Sequence, residues 1–198
     1  MNCYIETERN NMTSMYVVLM MVLLSLSADS SAVNDDCLKV GDVAPIFYAH
    51  KIGGGDFFLS KVVGDKVHPD KRRPIVLNFF TTSCIPCRKE IPYIQTLHIE
   101  YPKYSIYLVN IGENKDKVKK YISKMGYTLP VLHDKYGVIS KKYKASVTPT
   151  FVIITEGGKI SYYKRGFKES DTELIQQEMQ KLSGKIKEEV QDTLKKNY

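Results

Sequence analysis

Residues 75–92 read IVLNFFTTSCIPCRKEIP, and this stretch decides the fold. It opens with a run of β-branched, aromatic and other apolar side chains that contains a single asparagine, which predicts a strand covered on both faces. Thr81-Thr82-Ser83 ends that strand, and Cys84 follows at once. From Cys84 to about Glu100 apolar residues recur every three or four positions, which predicts an amphipathic helix. Cys84 and Cys87 therefore lie where a central strand passes into a helix.

The spacing of the two cysteines suits thiol–disulfide exchange. This chemistry needs one thiolate that attacks and a second thiol that resolves the mixed disulfide. Two intervening residues in a first helical turn place Cys87 beneath Cys84, whose sulfur then lies where the helix dipole stabilises a thiolate. Pro86 is tolerated because an early helical position does not need its N–H. We expect Cys84 to be exposed and to attack, and Cys87 to be buried and to resolve.

A zinc site and a pair of inert core thiols are the alternative interpretations of this motif. A zinc site needs a second pair of ligands, and the sequence contains no second C-x-x-C and no H-x₃-H. None of the four histidines has the spacing of a ligand or a catalytic base, so we expect surface or capping roles for them. We therefore expect no metal and no cofactor other than the redox-active Cys84–Cys87 disulfide.

Strand and helix signals alternate along the chain around the cysteine motif. Strands are predicted at residues 45–50, 56–59, 75–80, 104–111, 150–155 and 160–165, and helices at 84–100, 115–125, 135–143 and 169–182. Gly157-Gly158 supplies a tight turn between the last two strands. Alternation that ends in a hairpin predicts an α/β fold with a central mixed sheet flanked by helices.

The dipeptide Thr148-Pro149 opens one of these strands. Proline is tolerated at the first residue of a central strand only where its lost N–H is not needed. If this strand lies beside the one that leads to Cys84, a cis proline would lie against the two sulfurs. The backbone of Thr148 would then pair with an extended substrate chain.

Three segments in order resemble TlpA/ResA-type thioredoxin-like proteins: an entry motif at 40–45, the cysteine segment at 79–92, and 147–160 with Thr148-Pro149 and Gly157-Gly158. The resemblance covers residues 38–182 and implies a thioredoxin fold with an N-terminal β-hairpin extension. It also implies an exported domain that reduces protein disulfides, often in apocytochrome c during cytochrome c maturation. A membrane electron donor of the CcdA/DsbD type would reduce the domain itself.

Glu90 lies three residues past Cys87 and can share its helix face. The resemblance implies that this carboxylate is an acid/base group for the cysteine pair, and such a group can take the proton of a buried thiol. A solvent-facing glutamate paired with a lysine is the alternative.

Ile85 and Pro86 separate the cysteines, and with Thr148 and Pro149 they are the predicted substrate-binding residues. The absence of histidine between the cysteines favours a reductase over an oxidant. Ser83 stands where many relatives carry tryptophan, which leaves the substrate preference open.

Residues 15–26 read MYVVLMMVLLSL, a run shorter than the roughly 20 apolar residues of a bilayer span but typical of a secretion signal. Small residues follow, so cleavage is expected after Ala28 or Ala32. Glu6 and Glu8 depart from the positive charge usual at the start of a signal, and a buried core helix or an uncleaved anchor are the alternatives. The predicted organisation is a signal peptide or anchor at 1–32, a thioredoxin-like domain at 33–184 and a charged tail at 185–198, exported to the periplasm or the outer face of the cytoplasmic membrane.

The formal net charge of +7 comes largely from lysines that alternate with apolar residues at helical spacing. Such lysines are typical of solvated helix faces, and we expect no nucleic-acid partner. Weak attraction to an anionic membrane surface fits the charge better, and we expect a monomer. Cys37 stays outside the motif, as a reduced thiol, an intermolecular bridge or a lipid site, although the residues before it do not resemble a lipobox.

The sequence thus predicts an exported thiol–disulfide oxidoreductase that reduces protein disulfides. Two alternatives stay open. A thiol-dependent peroxidase would carry proline seven residues before the attacking cysteine, where this chain has Leu77. A non-catalytic copper-binding or partner-binding module would space its cysteines one residue wider and add a distant histidine.

Overall fold

The computed structural model describes residues 37–196, with side chains as far as residue 184. The predicted export segment at 1–32 lies outside this range, as do the last two residues and the side chains of the charged tail. Among the helices that are described, none is both long and apolar enough to cross a bilayer.

Seven strands and four helices make up the described chain. The strands are β1 (Tyr48–Lys51), β2 (Asp56–Phe58), β3 (Ile75–Phe80), β4 (Ser105–Ile111), β5 (Val131–Asp134), β6 (Thr150–Ile154) and β7 (Ile160–Arg165). The helices are α1 (Ile85–Glu100), α2 (Lys115–Met125), α3 (Val138–Lys142) and α4 (Asp171–Lys196). The strands form one mixed sheet in the order β2-β1-β5-β4-β3-β6-β7. β3, β4 and β5 are parallel neighbours, and β1, β6 and β7 join antiparallel. The predicted α/β class and mixed sheet are confirmed.

β3 lies inside the sheet, between β4 and β6, and all six of its residues are buried. Alternate side chains of a strand point to opposite faces of the sheet. Val76 and Phe80 accordingly pack into a cluster with residues of α1, α2 and α4, whereas Leu77 and Phe79 pack into a second cluster with Ile139 of α3. The strand that precedes the cysteines is therefore fixed from both sides.

The sequence pattern predicts no strand at Val131–Asp134, where the structure has β5 between β4 and β1. Four residues that follow a proline, two of them polar, are too few to display a period. β5 is recruited by tertiary context, because Val131 and Leu132 are buried and pair with Leu108 and Val109 of β4.

α3 begins later than the predicted helix at 135–143 because the chain first turns at Gly137, whose φ of 67° favours glycine. The carboxylate of Asp134 accepts hydrogen bonds from the backbone N–H groups of Ile139 and Ser140, at 3.1 and 2.8 Å. Asp134 is 4% exposed, so these bonds cap α3 inside the protein.

The two outer strands of the sheet are β2 and β7. The predicted strands at 45–50 and 56–59 shift slightly to become the hairpin of β1 and β2, and β1 pairs antiparallel with β5. β2 has only three residues, and β7 ends in Lys164 and Arg165. At the other end of the chain, α4 continues past the predicted residue 182 to Lys196.

Replacing Asp134 by alanine should lower the free energy of unfolding by about 1–2 kcal/mol, because two buried N–H groups lose their acceptor. Chemical denaturation measures this loss. Asp134→Asn keeps one side-chain oxygen acceptor and should lose less, and Asp65→Ala on the surface serves as the control. Equal stability of Asp134→Ala and the native protein would contradict the capping role.

Candidate active site

Cys84 and Cys87 form a disulfide at the start of α1, with their Cα atoms 5.4 Å apart. Cys84 is the N-cap residue, and its sulfur accepts a hydrogen bond from the backbone N–H of Cys87 at 3.2 Å. The backbone N–H of Cys84 is itself bonded to the carbonyl of Thr81. The first sulfur therefore lies at the positive end of the helix dipole, where a thiolate is favoured.

The two sulfur-bearing residues differ in access to solvent. Cys84 retains 7% exposure and Cys87 none. Cys84 is less exposed than the sequence predicts, because the surrounding chain covers most of it, yet it is the member of the pair with accessible surface. Its neighbours project outward, since Ile85 is 70% exposed and Pro86 is also exposed. An incoming disulfide thus has access to Cys84 and not to Cys87.

The peptide bond between Thr148 and Pro149 is cis. The next residue, Thr150, opens β6 and pairs with Phe79 of β3 in an antiparallel register. This register puts Pro149 level with the end of β3 that leads to Cys84, as the sequence argument requires. The carbonyl of Pro149 accepts a hydrogen bond from Gly166 at 2.7 Å, which ties the turn to the end of β7.

Glu90 points into the protein and is 1% exposed, so the solvent-facing alternative is wrong. Its carboxylate accepts a hydrogen bond from the side-chain amide of Asn78 in β3, at 2.5 Å. Burial raises the pKa of Glu90 to about 8, against the opposing effect of that hydrogen bond and with a further contribution from Asp171 in α4. A carboxyl group with this pKa, one turn beyond Cys87, can exchange a proton near neutral pH.

A second carboxylate, Glu113, supports the loop before the cysteines, a role that the sequence motifs do not predict. Its oxygens accept hydrogen bonds from the backbone N–H and the hydroxyl of Thr82, at 2.7 and 2.6 Å. They also accept from the amide of Asn110 and the ammonium of Lys117, each at 2.7 Å. Partial burial acts to raise the pKa of Glu113, but these hydrogen bonds outweigh it and hold the pKa at about 2. The glutamate is a charged anchor for the loop that carries Cys84.

The signal for Glu113 is present in the sequence. Asn110 and Glu113 lie at the carboxyl end of β4, which runs parallel to β3. Polar residues that follow parallel strands meet at one edge of the sheet, the edge at which Cys84 also lies. His133 of β5 reaches the same place, because its Nε2 donates to the carbonyl of Glu113 at 2.8 Å. This histidine has the structural role that its spacing predicts.

Across residues 37–184 no group of three or more His, Cys, Asp or Glu side chains is arranged to hold a metal ion. The disulfide itself is the group of this site that can carry electrons, since two thiols release two electrons when they pair. The expectation that no other cofactor takes part stays a prediction.

The model of the AhpC/TSA family matches residues 40–163 of this chain. The thiol-disulfide oxidoreductase ResA of Geobacillus thermodenitrificans is 29% identical over 149 residues, which cover 73% of this chain and 81% of that protein. ResA of Oceanobacillus iheyensis is 30% identical over 158 residues, with 76% and 78% covered. The crystal structure of StoA from Bacillus subtilis aligns with a TM-score of 0.55 and 26% identity, over 69% of this chain and 97% of that one. The resemblance noted from the sequence motifs is confirmed.

Replacing Glu113 by glutamine should lower the free energy of unfolding at pH 7 by about 1–3 kcal/mol, because an amide cannot accept all four hydrogen bonds. A depressed pKa contributes stability that is present above the unfolded value near 4.5 and lost as pH falls towards 2. The difference between variant and native protein should therefore shrink below about pH 4. Glu169→Gln, at an 85% exposed side chain, is the control; a difference independent of pH would contradict the charged anchor.

Glu90→Gln should have the opposite effect on how the free energy of unfolding depends on pH. A raised pKa contributes stability that is present below the unfolded value near 4.5 and lost as pH rises through about 8. Across that window the oxidised native protein should lose up to about 1.4 kcal/mol per pH unit relative to the variant. The comparison uses the disulfide form, in which neither cysteine titrates, with exposed Glu100→Gln on the same helix as control. Parallel pH profiles of native protein and Glu90→Gln would show that Glu90 has an ordinary pKa.

Proposed function

The chain belongs to the AhpC/TSA family and is a thiol–disulfide oxidoreductase, and from this premise we propose that it reduces protein disulfides, with Cys84 as the attacking thiol and Cys87 as the resolving thiol. The observation that carries the proposal is the unequal placement of the two sulfurs. Cys84 caps the helix and keeps accessible surface, while Cys87 lies one turn behind with none.

In the first step the Cys84 thiolate attacks one sulfur of a substrate disulfide. A mixed disulfide forms, the substrate S–S bond breaks, and the other substrate sulfur leaves as a thiolate that takes a proton. In the second step the Cys87 thiolate attacks the Cys84 sulfur and releases the remaining substrate thiol. Two electrons have then moved to the substrate, and the protein is left with the Cys84–Cys87 disulfide that the structure contains.

Glu90 handles the proton of the resolving step in this proposal. The Cys87 thiol must lose its proton before it can attack, and Cys87 is shielded from water. Residues three apart on a helix lie on one face, so Glu90 and Cys87 share the buried face of α1. Its pKa of about 8 lets it accept a proton and give it up again at neutral pH.

Thr148 and Pro149 form the other wall of the proposed substrate site. Val147, which precedes them, is 48% exposed, and Ile85 at the start of α1 is 70% exposed. Exposed apolar side chains on both sides of a sulfur suit an extended polypeptide, whose backbone can pair with Thr148 while its side chains contact the apolar surface.

The cellular setting is part of the same proposal. The predicted export segment at 1–32 and the resemblance to TlpA/ResA-type proteins support an exported domain in the periplasm or at the outer face of the cytoplasmic membrane. Apocytochrome c is the substrate, and a membrane donor of the CcdA/DsbD type returns the electrons, in line with the resemblance. The Ile85-Pro86 pair between the cysteines supports reduction as the net direction.

Cys84→Ser should abolish the reduction of insulin, whereas Cys87→Ser should accumulate mixed disulfides with substrate, because the attacking thiol then cannot be displaced. Both variants are made in a Cys37→Ser background, so that every adduct forms at the motif. Non-reducing gel electrophoresis and mass spectrometry identify the adducts. Equal trapping by the two variants would contradict the order of attack.

Peroxide consumption and copper titration of the reduced protein separate the two alternative functions. The proposal expects insulin reduction to exceed any peroxide turnover by at least about tenfold and expects no stoichiometric copper binding at the cysteine pair. A protein that consumed peroxide and left insulin intact would be a peroxidase, and the proposed function would be wrong.

A further inference from the structure

A cleft of about 310 Å³ opens beside the disulfide, between α1 and α2. We call it the cationic cleft, and it is lined by Thr82, Arg88, Lys117, Tyr121, Lys124 and Met125. Thr82 lies two residues before Cys84, and Arg88 directly follows Cys87. Residues that flank the cysteine pair in the chain thus form one side of the cleft.

Three of the six lining residues are cations, and none is an acid. Lys117 is engaged by Glu113 at 2.7 Å. Within residues 37–184, by contrast, neither Arg88 nor Lys124 forms an ion pair with a carboxylate. The field of Arg88 is felt inside the protein, since burial raises the pKa of the neighbouring Tyr127 and the guanidinium opposes that rise. The cleft thus carries positive charge that the described chain does not neutralise.

Tyr121 lines the cleft, and it and the neighbouring Tyr127 carry buried hydroxyl groups. Neither makes a hydrogen bond of acceptable geometry with the other or with any residue described by the structure. Both hydroxyls are covered by the protein itself, so the groups that the cleft offers to a ligand are the cations of Arg88 and Lys124.

One wall of the cleft is held in place by the active-site framework. The ring of Tyr121 stacks on that of Phe80, the last residue of β3, with 6.4 Å between centroids. Thr82 is fixed by Glu113, which also holds Lys117. Thr82, Lys117 and the Tyr121 ring are thus positioned before any ligand arrives, so this wall of the cleft need not be ordered on binding.

We infer that the cationic cleft binds an aspartate or glutamate side chain in the segment of a protein substrate that flanks its disulfide. A carboxylate is the group that pairs with both a guanidinium and an ammonium. The inference rests on the proposed function and adds to it a substrate class, acidic disulfide-bearing polypeptides. Charge pairing of this kind speeds the encounter of enzyme and substrate and orients the bound segment, and salt weakens it by screening the charges.

The test uses two synthetic peptides with the same internal disulfide, one flanked by glutamates and one by glutamines. We expect the native protein to reduce the glutamate peptide with a kcat/KM roughly tenfold higher at low ionic strength, and the ratio to fall towards one in 0.5 M salt, where charges are screened within about 4 Å. Lys124→Gln should bring the ratio close to one. Lys119→Gln, which removes the same charge from α2 outside the cleft, should keep the native ratio.

Failure of the inference and failure of the proposed function give different results. A native protein that reduces both peptides equally overturns the inference and leaves the reductase assignment standing. A native protein that reduces neither overturns the proposed function. The cleft is then tested by fluorescence anisotropy, with labelled peptides in which serine replaces cysteine and the oxidised protein as receptor.

In the binding experiment, the glutamate peptide should bind roughly tenfold more tightly than the glutamine peptide, and Lys124→Gln should remove the difference. Equal affinities would overturn the inference. Competition with succinate shows whether the cleft prefers an acidic protein segment or a small free carboxylate. Displacement by succinate at concentrations as low as those of the peptide would assign the cleft to a small molecule and overturn the inference as well.

Discussion

The sulfur of Cys84 occupies the place where the first turn of α1 leaves its backbone N–H groups without helical acceptors, and the rest of the site depends on that position. A thiolate there is stabilised without any partner cation, because the helix itself supplies the positive field. The position is set by β3, which is buried on both faces and delivers the chain to the helix. The parallel β4 ends at the same edge and contributes Glu113, which holds the loop between strand and helix.

Glu113 and Glu90 carry the same chemical group, but their different environments give the two carboxyl groups different pKa values and different roles. Glu113 accepts four hydrogen bonds and stays ionised well below neutral pH. Glu90 accepts a hydrogen bond from Asn78, but burial, with a contribution from Asp171, raises its pKa to about 8. The permanently charged group suits a structural anchor, and the group that titrates near neutrality suits proton transfer. The role of each glutamate therefore follows from its surroundings and not from its side chain.

The sequence was sufficient for the parts of the molecule that depend on local pattern. β3, α1 and the two cysteines follow from one apolar run, one helical period and one spacing, and Thr148-Pro149 was found from the rule for proline at strand starts. β5 was missed because four residues are too short for a period, and its identity as a strand comes from its neighbours. Glu113 was missed because its partner, Thr82, is 31 residues away in the chain. The cationic cleft likewise unites α1 and α2, whose proximity only the folded chain reveals.

The edges of the sheet bear on how an enzyme with the proposed polypeptide substrates would avoid aggregating with them. An open strand edge would capture any extended polypeptide along its whole length and hold it without turnover. One outer strand here offers three residues and the other ends in two basic side chains, so both are poor templates for further pairing. A substrate chain would thereby make only a short backbone contact, and it would dissociate easily once its sulfurs have been exchanged. Weak pairing of a substrate chain with the outer strands would thus let the enzyme release one substrate and act on the next.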